Sequence, residues 1–357
     1  MTADLLWVDA GRRYGFDDLV HWQGGGREPF AAAAARIDTV ILGPHASAAF
    51  PAELKPFVNP ALTHRKQCDF SDVITSSLGR LWVAADPHAV FVENPHSRLV
   101  LDPNRAPPAD PVAGLRTFFQ RLQEQRAGGK VSFAGIDAVR PITFSGEDVL
   151  LAPTNDAQWQ ALTAALATAI ANGVQPYRDT CVRVVDEVLA ARAGRPLRVC
   201  SLHDTMNTKM RADGAIVVER PPGDRLPPWV NFGNRGDDRG EPSAADDPVT
   251  LPGAELRRIA AAWAQALGVP AAEAPRALAL NRPYKGAFET TFFGERLRGR
   301  HPQTGAVQLE FLRETLLGPA TVQRLHQPGT DWPVVDLAWL TPIADKLAQA
   351  GAALRAD

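Results

Sequence analysis

IDTVILGPHA, residues 37–46, is a short β-branched apolar run that stops at Gly43-Pro44, with His45 immediately beyond. A continuous apolar run of this length, closed by Gly-Pro, reads as a buried strand ending in a turn. RLWVAA (80–85) and SRLVLD (97–102) read the same way, and LRVCSLH (197–203) is a further strand, ending in a histidine. PPWVNFGNRG (227–236), AFETTFFG (287–294) and VQLEFL (307–312) complete the expected strands.

Between them lie helical patterns. PVAGLRTFFQRLQEQRAGG (111–129) starts at Pro111, repeats apolar residues at 115, 118, 119 and 122, and stops at Gly128-Gly129. Residues 155–193 read as two helices broken near Gly173–Pro176. GAELRRIAAAWAQALG (253–268) is an amphipathic helix, and the C-terminal VVDLAWLTPIADKLAQAGAAL is mostly helical. Residues 130–151 read as a strand-rich excursion. NRGDDRGEPSAADDP (234–248), charged and almost without apolar residues, reads as a mobile loop or lid. Strands alternating with helices predict an α/β sandwich around a mixed, mainly parallel sheet. No linker divides the chain, so residues 1–357 are expected to form a single domain.

Composition narrows the function. A net charge of −2 gives no broad electrostatic footprint for nucleic acid or an anionic membrane. Anion recognition therefore has to come from a few local arginines. Three widely spaced cysteines, Cys68, Cys181 and Cys200, form neither a disulfide framework nor a CxxC zinc site, which suits reduced thiols and a cytoplasmic setting. The N-terminal residues lack a basic segment followed by an apolar core, so no signal peptide is expected. WQALTAALATAIANGV (159–174) is too short and too interrupted to span a bilayer, and reads as a buried helix.

Of eight histidines, two stand at strand ends: His45 and His203. Ligands of open α/β sheets collect beyond the carboxyl ends of the strands, so these two are candidates to converge. A catalytic zinc site needs three N/O ligands and an open position. The third ligand should be a carboxylate, and Asp69, Asp72 and Glu53 are the candidates. Asp69 and Asp72 sit at an expected helix start, a favourable place for acids on structural grounds alone. LVLDPNRAP (99–107) projects Asn104 and Arg105 from a strand end, and an arginine fork suits a carboxylate. In VQLEFLRETL (307–316), Glu310 falls on the face opposite Val307, Leu309 and Phe311. It is either a solvent-facing strand residue or a catalytic base.

Taken in order, these pieces resemble the N-formylglutamate amidohydrolase family, metal-dependent hydrolases related in fold to zinc carboxypeptidases and aspartoacylase. LGPHASAAFPAEL resembles its Pro-His-Ser-Gly segment, SRLVLDPNRAPP its Arg-Tyr-Val-Val-Asp-Leu-Asn-Arg-Pro run, and VCSLHDTM its Asp-x-His-Ser-Met strand end. CDFSD, RPITFSGEDVL, QPYRD, VNFGNRGD, NRPYKGAFET and TGAVQLEFLRETL resemble further family motifs, across roughly residues 40–318. The chain departs from the pattern at Ser47 (Gly in the family), at Arg178 (His), at Ala287 (Gly) and before His203, where the acid is missing.

The resemblance implies a three-layer α/β/α sandwich and a zinc or other divalent ion held by His45, Asp69 and His203, with Glu310 as general base. It further implies that Asn104 and Arg105 grip a substrate carboxylate, with Arg282 or Lys285 adding positive charge. The implied reaction removes a small acyl group from an N-acyl amino acid. The default is N-formyl-L-glutamate to glutamate and formate, the terminal step of one route of histidine degradation. A different amide substrate, or a non-catalytic binding protein that kept the cleft, are the alternatives. The implied partner is a small molecule, acted on by a monomer or small homo-oligomer.

Overall fold

The computed structural model describes residues 4–192, 194–211, 216–244 and 248–356. Seven strands form its main sheet: β1 (Val20–Trp22), β2 (Thr39–Gly43), β3 (Ala89–Glu93), β4 (Arg198–Thr205), β5 (Val230–Gly233), β6 (Leu278–Leu280) and β7 (Gly305–Leu312). Their spatial order is β6-β5-β7-β4-β2-β3-β1. The centre, β7-β4-β2-β3, is parallel. β1 runs antiparallel to β3 and β5 antiparallel to β7, with β6 parallel to β5. The sheet is therefore mixed and mainly parallel, as the alternation of elements predicted.

Seven helices are used below: α1 (Ile74–Ala85), α2 (Pro111–Arg126), α3 (Asp156–Ala169), α4 (Gln175–Arg192), α5 (Gly253–Leu267), α6 (Phe288–Leu297) and α7 (Leu337–Ala356). On one face Ile41, Phe91, Cys200 and Val307 pack against Trp82 of α1, Trp263 of α5 and Ile343 of α7. On the other, Val40, Val90, Val199 and Ala306 pack against Val184 of α4 and Phe293 of α6. Both faces of the central strands are covered, which is why they read as near-continuous apolar runs. Among the described residues no helix is long and apolar enough to cross a membrane.

Several local expectations are corrected. RLWVAA is the end of α1, not a strand: Ile74, Leu78 and Trp82 are buried at helical spacing, a period too long to show in six residues. AFETTFFG is likewise helical. In α6, Glu289, Thr290, Phe293, Gly294 and Leu297 form one buried stripe despite the β-branched pair. SRLVLD pairs in no sheet. Leu99, Val100 and Leu101 are apolar because they pack under α2 and α3, against Leu115, Phe119 and Leu166.

Residues 130–151 are irregular and carry only single bridges, Val58 to Leu150 and Ile142 to Asp148. The break expected near Gly173–Pro176 is instead a π turn, Ile170–Val174, that joins α3 to α4. Pro176 has no N–H to offer a preceding carbonyl, and the Asn172 carbonyl accepts from Tyr14 N instead, at 3.0 Å. Helix α3 is amphipathic rather than buried, hiding only Leu162, Leu166 and Ala169. The described part of loop 234–248 is tied down by Asn234, which donates to the Gly240 and Leu251 carbonyls. Asp237 also accepts the Arg239 and Glu241 N–H groups. Residues 245–247 of that expectation lie outside the described residues.

Candidate metal centre

Parallel strands aim their carboxyl ends the same way, so residues at the ends of β2, β4 and β7 share one rim of the sheet. Register then fixes neighbours. Glu310 on β7 lies directly beside His203 on β4, and Gln308 beside Ser201. On its other side Glu310 faces Asn231 of β5. Period-two alternation puts Ser201, His203, Gln308 and Glu310 on a single face.

His45 reaches the same place from the turn after β2. Its ring centroid is 4.9 Å from that of His203. Asp72 comes between them because its backbone N–H donates to the His45 carbonyl at 3.0 Å, pinning the turn between the short helix His64–Asp69 and α1. One oxygen, Asp72 Oδ2, lies 3.1 Å from His45 Nδ1 and 2.9 Å from His203 Nδ1. His45, Asp72 and His203 are all buried and each offers a ligand atom within 4.8 Å of the others.

The far nitrogens are fixed as well. His45 Nε2 donates to Asp102 Oδ1 at 2.8 Å. Asp102 in turn accepts from Arg98 at 2.5 Å. His203 Nε2 lies 3.0 Å from Ser201 Oγ, which itself donates to Glu289 Oε2 at 2.7 Å. Tyr177 Oη donates to the other oxygen of Glu289 at 2.8 Å. With Nε2–H of His45 committed to a carboxylate, that imidazole turns Nδ1 toward Asp72 Oδ2, and His203 brings its own Nδ1 to the same oxygen. A lone pair facing a carboxylate oxygen is repelled unless a proton or a cation lies between them. A pair of imidazoles oriented through their distal nitrogens, plus one acid, is the donor chemistry that suits zinc or a similar divalent ion.

The charges are consistent with that fit. Burial opposes ionisation of Asp72, but the two imidazoles outweigh it and hold the carboxyl well below the usual range. Asp102 is likewise lowered, with Arg98 and His45 overcoming burial. Glu310 goes the other way. Burial, helped by the negative charge of Asp72 and Asp204 and opposed by His203, pushes it up to about 7. Gln308 Nε2 donates to Glu310 Oε2 at 2.9 Å and sets its rotamer.

Asp69, the expected third ligand, is not part of the cluster. It ends the short helix and faces Arg313, 3.9 Å away, while Asp72 occupies the corner between the histidines. Arg313 also lies 3.8 Å from Asp72, pairs with Asp204 and donates to the Ser71 carbonyl, buttressing the acid from behind. Glu53 accepts the Gly11 N–H at 2.7 Å, in the helical turn Ala52–Phe57.

Asn104 is buried with both ends of its amide engaged. Oδ1 accepts from Glu289 N at 3.0 Å, and Nδ2 lies 3.1 Å from His203 Nε2. That places it as an orienting group beside His203 rather than an open grip for substrate. Arg105 and Lys285 line the cavity, which measures about 450 Å³. Arg282 is not among its lining residues. Its side chain is 73% exposed and paired with Asp238. A larger hollow of about 1460 Å³ lies by edge strand β1, around Trp22 and Phe30, away from every group named here.

Some members were missed from sequence. Ser201 was legible in principle, two residues before His203 on the same strand face. Glu289 was hidden by reading α6 as a strand. Asp102 and Arg98 lay in a segment read as a strand pointing only Asn104 and Arg105 at the site.

A model of the N-formylglutamate amidohydrolase family matches residues 37–317, a span that includes all three cluster residues and Glu310. No curated protein matches the chain significantly. Among solved structures, that of a gene product from Agrobacterium tumefaciens is similar, with a TM-score of 0.52 at 18% identity. The match covers 91% of this chain and 93% of that one. At that identity the likeness speaks for the fold alone.

Proposed function

The chain belongs to the N-formylglutamate amidohydrolase family, and from that premise we propose that it is a metal-dependent amidohydrolase releasing a small acyl group, by default formyl, from an N-acyl amino acid such as N-formyl-L-glutamate. The reading is carried by one observation: His45 and His203 both turn Nδ1 to a single oxygen of Asp72, with Glu310 register-paired to His203.

Held by His45, Asp72 and His203, a divalent ion would supply Lewis acidity and acidify a water. The chain's own residues do the rest. Glu310, buried and raised toward neutrality, takes a proton from water at Oε and returns it to the amine nitrogen that departs. Asp102 holds the His45 imidazole, and Ser201 with Asn104 holds that of His203, each in one orientation. Arg105 is anchored through Nε to Asp137 at 3.0 Å and sits on the cavity wall, where it orients the amino-acid carboxylate.

The departures at Ser47, Arg178 and Ala287 bear on the choice of amide. Arg178 donates to the carbonyls of Asp102 and Arg105, bracing the segment that holds His45. Formyl, acetyl and succinyl derivatives of glutamate therefore belong in one assay. With zinc supplied, the purified protein is expected to release formate from N-formyl-L-glutamate. Glu310→Ala should lower kcat/KM by roughly 10²–10⁴, and His203→Ala should abolish activity. Full activity in either variant contradicts the mechanism.

A further inference from the structure

Among the described residues four guanidiniums line the cavity, and three of them already have acids. Arg98 pairs with Asp102, Arg105 with Asp137 and Arg313 with Asp204. Arg220 does not. Among the described residues its partners are neutral: Nη1 donates to Tyr284 Oη at 2.9 Å and Nη2 to Thr205 Oγ1 at 3.0 Å. Its Nε is buried with no hydrogen-bond partner. Its charge acts through space on the buried Asp69 carboxyl, but among the described residues no acid is paired with it, so its guanidinium, held by neutral partners, is left for an incoming anion to engage.

Its position is set by the sheet. Thr205 follows His203 by two residues on the same face of β4. Tyr284 is held where it is by Asn231, the strand neighbour of Glu310, whose Nδ2 donates to the Tyr284 carbonyl at 2.7 Å. Arg220 therefore lies on the Glu310 side of the cluster. Arg105 lies on the other, beyond Asp102 and His45. A substrate carbonyl between them has Arg105 toward one end and Arg220 toward the other, with Lys285 also on the cavity wall. Tyr284 adds a hydroxyl that accepts from Arg220 and so keeps its own proton to donate.

We propose that Arg220, steadied by Tyr284 and Thr205, receives a second anionic group at the end of the substrate side chain, and thereby selects acidic N-acyl amino acids over neutral ones. The inference rests on the amidohydrolase reading for its substrate. It assigns Arg220 the task expected earlier of Arg282 or Lys285: the Arg282 side chain instead pairs outward with Asp238, and the exposed Lys285 reaches Ser243 Oγ at 3.4 Å.

The test compares N-formyl-L-glutamate with its neutral isostere N-formyl-L-glutamine on zinc-loaded enzyme. Wild type is expected to favour the glutamate compound by on the order of 100-fold in kcat/KM, the scale of a charge-assisted pair. Arg220→Ala should remove that preference through a raised KM for N-formyl-L-glutamate, with metal content unchanged. Arg220→Lys should restore part of the preference, and Tyr284→Phe should weaken it without changing metal content. The proposal is overturned if wild type shows no preference, if Arg220→Ala keeps it, or if both substrates fall together.

Should neither compound be hydrolysed, calorimetric binding of the same two compounds to the same proteins decides. Selective loss of N-formyl-L-glutamate binding in Arg220→Ala sustains the subsite and counts against turnover alone. Unchanged binding overturns the subsite.

Discussion

Glu310 is a carboxyl that the fold holds near neutrality, and the sign of that shift gives a pH profile. Its ordinary value is 4.5 and burial, with Asp72 and Asp204 nearby, raises it to about 7. A base works only when deprotonated, so activity must climb with pH through the value the group has in the working enzyme. A cation at His45, Asp72 and His203 adds positive charge beside Glu310 and lowers that value. The ascending limb of kcat/KM is therefore expected at or below about pH 7, and it should disappear from the residual activity of Glu310→Gln. A limb centred well above 7, or one that persists in Glu310→Gln, contradicts the assignment of the base. Which residues converge was largely legible here: His45 and His203 end apolar runs, and Glu310 interrupts one. The choice between Asp69 and Asp72 was not. The two acids are three residues apart, and what separates them is a turn whose geometry depends on the Asp72 N–H bond to the His45 carbonyl, a contact across 27 residues.

Elements place these residues through close packing, and one glycine shows how little room is left. In α1, Gly79 lies over the ring of Phe91 on β3, and a Cβ there would come within 2.8 Å of three ring atoms. Alanine is the better helix former by roughly 1 kcal/mol, yet the ring is walled in by the core that Trp82 and Ile41 share. Gly79→Ala is therefore expected to destabilise the protein by about 1–3 kcal/mol through overpacking, read as a lower denaturant midpoint at unchanged m-value. A midpoint equal to or above wild type would mean that α1 can slide on the sheet. At this scale the sequence was legible where a run was long or bounded by Gly and Pro, as in β2, β4, β7, α2 and α5. It failed where six or eight apolar residues suited both periods. RLWVAA and AFETTFFG carry β-branched and aromatic residues that favour strands locally, and the buried stripe that makes them helices extends beyond the quoted window. SRLVLD shows the third case, an apolar run whose burial comes from neighbouring helices rather than a sheet.

Across the whole molecule the logic is that of an open α/β sheet. Four central parallel strands deliver their carboxyl ends to one rim, and helices on both faces leave that rim as the place where polar groups gather. His45 and His203, 158 positions apart in sequence, meet there because β2 and β4 are hydrogen-bonded neighbours. Glu310 joins them because β7 pairs with β4 on the other side. On the proposed reading, the acids and hydroxyls behind the imidazoles orient them for a cation. Metal content of the purified, zinc-reconstituted chain tests this most directly, compared across wild type, Asp69→Ala, Asp72→Ala and His203→Ala by elemental analysis. The expected result is about one ion per chain in wild type and in Asp69→Ala, with loss in Asp72→Ala and His203→Ala. A wild type that binds no ion, or an Asp72→Ala protein that keeps it while Asp69→Ala loses it, would contradict the account.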